Sequence, residues 1–192
     1  MPDTGWQMAD GRSQRLGNRV PGVARPTPET RYPRPECGDT SSVNHRTTAW
    51  LLVVAQFVLI GAVVVLPGDH WQVTSIHQAI TLALIGVALA LGLWAARWLG
   101  AGLTPLPLPN GRVDLVVHGP YRWVRHPMYS AVIIGMGGIA VRSGSWWSAG
   151  AWLALVALLT MKSRWEERHL VTAFPGYEAY RTRTGRFMPG LG

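Results

Sequence analysis

Four stretches of this chain stay free of charge for long enough to be helices in lipid, and the polar positions between them divide the rest. Ala49 to Leu66 reads AWLLVVAQFVLIGAVVVL, 18 residues without a charge. As a helix it would rise about 27 Å at roughly 1.5 Å per residue, enough to cross the hydrocarbon of a bilayer. Its one strongly polar member, Gln56, could hydrogen-bond a neighbouring helix, but simple tolerance of the amide is the reading preferred from the sequence. Pro67 and Gly68 end the run and turn the chain into a hairpin. A second apolar run covers residues 74–98, where Gly86 with Ala90 and Gly92 with Ala96 have the four-residue spacing that lets helix backbones approach closely. A third starts at Pro127, a residue well suited to a first helical position, and ends near Val141, with Ala131 and Gly135 as another small-residue pair. The fourth opens on Trp146 and Trp147, aromatic side chains of the kind that sit at headgroup level, and runs to about Met161. The pattern predicts an all-α, polytopic membrane protein with four transmembrane helices at about 49–66, 74–98, 127–141 and 146–161.

Composition supports this reading, since 48% of the residues are hydrophobic and only 15% are charged. The net charge of +8 would suit a nucleic-acid binder, but the arginines gather at the edges of apolar runs, so they read as determinants of topology and no nucleic-acid partner is expected. Lys and Arg number seven before the first run, none between the first and second, four from Arg97 through Arg125, one between the third and fourth, and six from Lys162 onward. By the positive-inside rule both termini and the loop after the second run are cytoplasmic, which predicts a multi-pass protein of the inner (plasma) membrane. Residues 1–46, rich in Pro, Gly and Arg, are expected to be a disordered cytoplasmic tail ahead of a membrane domain at 47–192. They lack the apolar core of a secretory signal, so the first run is expected to stay as an anchor. Prolines at 105, 107 and 109 exclude helix from the loop at 100–118, which is expected to lie ordered over the cytoplasmic mouth of the bundle. Cys37 alone makes no disulfide within the chain, and His77 has no second ligand at helical spacing, so no metal site is expected.

Three polar motifs remain that membrane insertion does not require. Gly119 to Tyr129 reads GPYRWVRHPMY and sets Arg122, Arg125 and His126 just before a helix that begins at Pro127. The free N–H groups and positive dipole end of such a helix, flanked by guanidinium groups, make an anion site, although arginines beside a transmembrane helix are also expected whatever a protein does. Glu166 and Glu167 follow the fourth run among Lys162, Arg164, Arg168 and His169. Carboxylates near a helix C-terminus oppose its dipole, so they are either weak surface pairs or parts of a polar mouth shared with the arginines of the first motif. The third motif, AFPGYEAYRTRTGRFMP, brings Tyr177, Tyr180, Arg181, Arg183 and Arg186 onto an expected short interfacial helix.

These three motifs, in this order over about residues 100–189, resemble the isoprenylcysteine carboxyl methyltransferase and phospholipid N-methyltransferase group of integral membrane methyltransferases. The resemblance implies an S-adenosylmethionine-dependent methyltransferase acting on a lipophilic or prenylated acceptor at the cytoplasmic membrane face. Arg125, His126, Pro127 and Tyr129 match its first motif, Glu166 and Glu167 the second, and Tyr177, Tyr180 and Arg183 the third. The implied cofactor-binding residues are Arg122 and all of these but Arg183, while Glu167 and Arg183 are expected to take part in catalysis, Arg183 by orienting an acceptor carboxylate. One departure is Ala131, where such proteins often carry glycine and where a methyl could narrow the cofactor groove. Two other readings stand beside this one: an NADPH-dependent membrane reductase of the sterol type, and a non-catalytic membrane protein that keeps the fold. Neither the acceptor nor the choice of O-, N- or S-methylation is written in the residues.

Overall fold

The computed structural model describes residues 40–68, 70–100 and 115–191, with backbone alone over 40–46. The expectations for residues 1–39, and for the Pro-rich part of the loop at 101–114, lie outside the described residues. Five α-helices follow one another: α1 at Thr40–Val65, α2 at Ser75–Leu99, α3 at Pro127–Ser143, α4 at Trp146–Ala173 and α5 at Tyr177–Arg181, with a 3-10 turn at Gly119–Arg122 ahead of α3. No strand forms among the described residues, so the chain is all-α, and the only ladder-like contacts described are two isolated bridges. One boundary differs from the sequence reading: α1 begins at Thr40, inside the stretch assigned to the tail. α4 runs without a break through the acidic pair to Ala173.

Helices α1, over Thr47–Val65, and α2 are long and apolar enough to cross a membrane, and only 17% of each such segment is buried inside the molecule. Their outward faces carry exposed Leu51, Val54, Phe57 and Val58 on α1 and Leu82, Val87, Leu89 and Leu93 on α2, an apolar exterior that suits lipid rather than water. By the same measure of length and composition α3 and α4 do not qualify.

Small residues decide how the helices meet. A Cβ placed at Gly92 would lie 3.5 Å from the Ala131 methyl, one at Gly135 would lie 3.2 Å from the Ala88 methyl, and one at Gly138 would lie 3.1 Å from Leu84 Cβ. The partner numbers fall on α2 as they rise on α3, so the two helices are antiparallel and their backbones nearly touch. Thr81 Oγ1 closes the interface by donating to the Gly138 carbonyl at 2.9 Å. Gly86, counted among the close-approach positions from sequence, faces open space instead. Between α3 and α4, Gly137 leaves room for the Trp152 ring, whose Nε1 donates to the Ile133 carbonyl at 2.9 Å.

Helix α1 packs on α4 and more lightly on α3, whereas α1 and α2, although consecutive, do not pack along their lengths. Ser148 Oγ on α4 donates to the Val63 carbonyl at 2.7 Å near one end of the α1–α4 contact. Farther along, Lys162 Nζ on α4 donates to Gln56 Oε1 at 2.8 Å. The Gln56 amide is therefore a helix–helix contact and not merely tolerated. At the Ser148 end, the linker after α1 meets the α3–α4 turn, with the His70 amide donating to the Gly144 carbonyl at 2.8 Å. At the other end, Gly119 sits at φ 60, and a Cβ there would lie 2.5 Å from the Trp98 ring, so the 3-10 turn docks on the end of α2 only because this residue has no side chain.

The α2–α3 contact gives a direct test. Gly138→Leu forces a side chain into a filled interface and is expected to lower stability by about 1–3 kcal/mol. Gly86→Leu, on the open face, is expected to leave the melting temperature in detergent unchanged or slightly raised. Equal melting of the two variants would contradict this packing.

Candidate active site

The polar end of the bundle is assembled around one carboxylate. Glu167 on α4 is 3% exposed. Its Oε1 accepts from Arg125 Nε at 2.9 Å and lies 3.1 Å from His126 Nε2. Arg186 adds a two-pronged contact, Nη2 to Oε2 at 3.1 Å and Nε to Oε1 at 3.3 Å. Burial alone would raise the carboxyl pKa, but the hydrogen bonds from His126, Arg186 and Arg125 reverse that and hold it well below the usual carboxylate range.

The local sequence explains why these three side chains converge. Pro127 starts α3 with His126 as its N-cap, so Arg125 and His126 lie on the non-helical backbone just before the helix. After α5 the chain forms a strap over that backbone: the Arg125 amide donates to the Gly185 carbonyl at 2.8 Å, the His126 amide to the Arg186 carbonyl at 3.1 Å, and the Gly185 amide to the Trp123 carbonyl at 3.1 Å. Gly185 is required, because a Cβ there would lie 1.7 Å from the Met188 carbonyl oxygen. Ser130 Oγ donates to the Phe187 carbonyl at 2.7 Å. Arg125 Nη1 donates to the Arg181 carbonyl at 2.8 Å and also to the Thr184 carbonyl. The guanidinium of Arg125 thus fastens Glu167 and the strap together.

Glu166 has a different environment. Its side chain is 25% exposed, Oε2 accepts from Tyr129 Oη at 3.1 Å, and His126 Nδ1 is 3.7 Å away. The Tyr129 ring stacks on His126, with centroids 5.3 Å apart and planes within 3°. Tyr177, 1% exposed, packs edge-on against Tyr180 at 5.7 Å. Its hydroxyl is buried and has no hydrogen-bond partner among the described residues. Burial, with the Glu167 charge nearby, pushes that phenol far up, so it remains a donor. Tyr180 Oη donates to the Tyr121 carbonyl at 2.6 Å and ties α5 to the 3-10 turn, where burial and Glu166 push the Tyr121 phenol up to about 12.

A family model described as phospholipid methyltransferase matches residues 76–176. The chain belongs to that family. Among curated relatives, the cobalt-zinc-cadmium resistance protein CzcN of Cupriavidus metallidurans is 33% identical over 160 residues, 80% of this chain and 68% of that protein. The nickel-cobalt-cadmium resistance protein NccN of Alcaligenes xylosoxydans xylosoxydans is 29% identical over 177 residues, 89% of this chain and 73% of that protein. The matched stretch of the phospholipid methyltransferase family contains nearly all of α2, all of α3 and α4, the first two motifs and only residues 173–176 of the third, while α1, α5 with Tyr177 and Tyr180, and the strap fall outside it.

The structure brings Arg125, His126, Pro127, Tyr129, Glu166, Glu167, Tyr177 and Tyr180 to one end of the bundle. Arg122 and Arg183 are placed differently: both are exposed, and Arg122 lies over the Trp123 ring at 4.7 Å. Ala131 turns its methyl to Gly92 of α2, so its departure from the common glycine is a feature of helix packing. The sequence reading put Arg183 and Arg186 on the short interfacial helix, but α5 ends at Arg181 and both lie beyond it. It gave no site role to Arg186 or Thr184, whose contacts depend on residues earlier in the chain. Gly185 between two polar residues was the one local signal of a tight turn there.

The carboxylate knot predicts an acid-sensitive fold. Because the folded-state pKa of Glu167 is depressed, its contribution is fully present above the ordinary carboxylate range and is lost progressively as the pH falls below it. Melting temperatures followed from pH 6 down through the carboxylate range to about pH 2 should fall for the unaltered protein and fall less steeply for Glu167→Gln. Glu167→Ala, which leaves buried cations uncompensated, should cost about 3–5 kcal/mol at neutral pH. A pH dependence identical in all three proteins would contradict the knot.

Proposed function

We propose that this protein is an S-adenosylmethionine-dependent membrane methyltransferase whose acceptor is lipophilic and reaches the site from the bilayer. The observation that carries the reading is the Tyr177 hydroxyl, buried inside the motif cluster with no hydrogen-bond partner among the described residues, in a chain of the phospholipid methyltransferase family. A buried donor left unsatisfied costs free energy that a bound polar group recovers. The neighbouring donor set fits this cofactor: Glu166 is a partly exposed carboxylate for an ammonium or ribose hydroxyl, and His126 and Tyr129 offer a stacked aromatic wall. Arg125 and Glu167, both committed to the knot, act as the frame that holds these groups, and exposed Arg122 and Arg183 are left to meet the cofactor carboxylate or an acidic acceptor head. When bound, the cofactor supplies an electrophilic methyl group on a sulfonium. The chain supplies alignment and a site closed to water, and alignment alone contributes about 7–11 kcal/mol in well-oriented reactions.

The reading includes a four-span topology, with α3 and α4 completing the bundle, both termini cytoplasmic and the active site on the cytoplasmic face of the inner membrane. The alternation of Lys and Arg along the chain supports it. A periplasm-active reporter should be active when fused after His70 and inactive when fused after Asn110; the opposite result would remove the topology. The acceptor is expected to enter sideways, because carrying a lipid tail through water costs about 0.8 kcal/mol per methylene. The absence of packing between α1 and α2 gives one place for such an opening.

Titration calorimetry tests the cofactor. S-adenosylhomocysteine should bind the purified protein, and NADPH should not. Tyr177→Phe should weaken binding by about three- to tenfold, the loss of one neutral hydrogen bond. Binding of NADPH instead, or no loss in Tyr177→Phe and Glu166→Gln, would place the site or the chemistry elsewhere.

A further inference from the structure

Among the described residues, Lys162 is the one buried Lys or Arg side chain that the site as described above does not use. It is 2% exposed on α4, one helical turn before Glu166 and therefore on the same face of that helix. Its Nζ donates to Gln56 Oε1 on α1 and lies 5.3 Å from the centroid of the Tyr129 ring. Tyr129 bridges the two α4 residues: its ring covers the Lys162 ammonium while its hydroxyl donates to Glu166 at 3.1 Å. An ammonium over an aromatic face is held by the ring quadrupole, and the hold strengthens where water is excluded. A buried lysine is a poor device for stability alone, since an apolar side chain of similar length would fill the space without desolvating a charge. What the lysine does that methionine would not is fix the ring in one place.

We infer that Lys162, braced from α1 by Gln56, is a positioning residue of the site: it fixes the Tyr129 ring, which in turn fixes Glu166, the carboxylate left open to a ligand. The consequence for cofactor binding rests on the methyltransferase reading above; the positioning itself does not. The relay also makes α1, which lies outside the family-matched stretch, a contributor to the site through Gln56.

Two measurements on the full-length protein in detergent or nanodiscs separate these claims. In ligand-free protein labelled with 13C at tyrosine Cζ, the Tyr129 resonance, assigned by its loss in Tyr129→Phe, should move in Lys162→Met and return toward its original position in Lys162→Arg. Ser148→Ala, which removes the hydrogen bond at the far end of the α1–α4 contact, should leave it in place. An unmoved Tyr129 resonance in a folded Lys162→Met protein overturns the positioning role. The second measurement is a double-mutant cycle on S-adenosylhomocysteine binding. Lys162→Met should weaken binding on the order of tenfold in the unaltered background and about twofold or less in Glu166→Gln, because residues acting as a unit are not additive. Equal losses in both backgrounds would mean that Lys162 is only structural. If the unaltered protein binds no S-adenosylhomocysteine, the cofactor reading fails while the resonance still decides the relay. If Lys162→Met does not fold, Gln56→Leu carries the same comparisons, with smaller changes in the same direction.

Discussion

The carboxylate of Glu167 sits where three parts of the chain have to agree. Taking it out of water is tolerable only because Arg125, His126 and Arg186 surround it with donors, and each of those side chains is buried or half-buried in turn. Arg125 spends its remaining donors on the carbonyls of Arg181 and Thr184, so the charge balance and the path of the strap are one arrangement. Remove Glu167 and the buried Arg125 loses its carboxylate; remove one donor and the other two still meet it. The backbone pairing of residues 123–126 with 185–186 would be far too short to hold a strap by itself, and it is held by the charges beneath it.

Two adjacent glutamates consequently do different work. Successive residues on a helix point about 100° apart, so Glu167 turns into the knot while Glu166 turns to the edge of the site. One is sealed and bonded on both oxygens; the other is partly open and held by a phenol. Helical geometry alone separates a structural anion from one able to meet a ligand, without any change of residue type. The doublet opposes the α4 dipole, and the concentration of donors from α3 and the strap outweighs that unfavourable term.

What could be read from the sequence was what local pattern encodes. The apolar runs located the helices, Thr74 and Pro127 marked where α2 and α3 start, and the order of the three motifs pointed to the family. Hydropathy did not reveal that α1 begins at Thr40, because polar residues continue a helix as readily as they end one. Four-residue spacing identified Gly92, Ala131 and Gly135 correctly but also selected Gly86, since spacing says nothing about which stripe of a helix faces a partner. Gln56 looked inert because its partner lies on α4. Arg186 was one arginine among several in a basic tail, and only the fold distinguishes it from Arg183, which stays exposed.

The strap and the helix pairing are separable parts of the molecule. The carbonyls of Arg181, at the end of α5, and of Thr184 and Phe187 meet side chains 56 to 59 positions earlier in the chain. The α2–α3 packing and the α3–α4 hairpin use none of these contacts. A protein whose last segment had come away would therefore keep its helix content and lose only the arrangement of donors around Glu167.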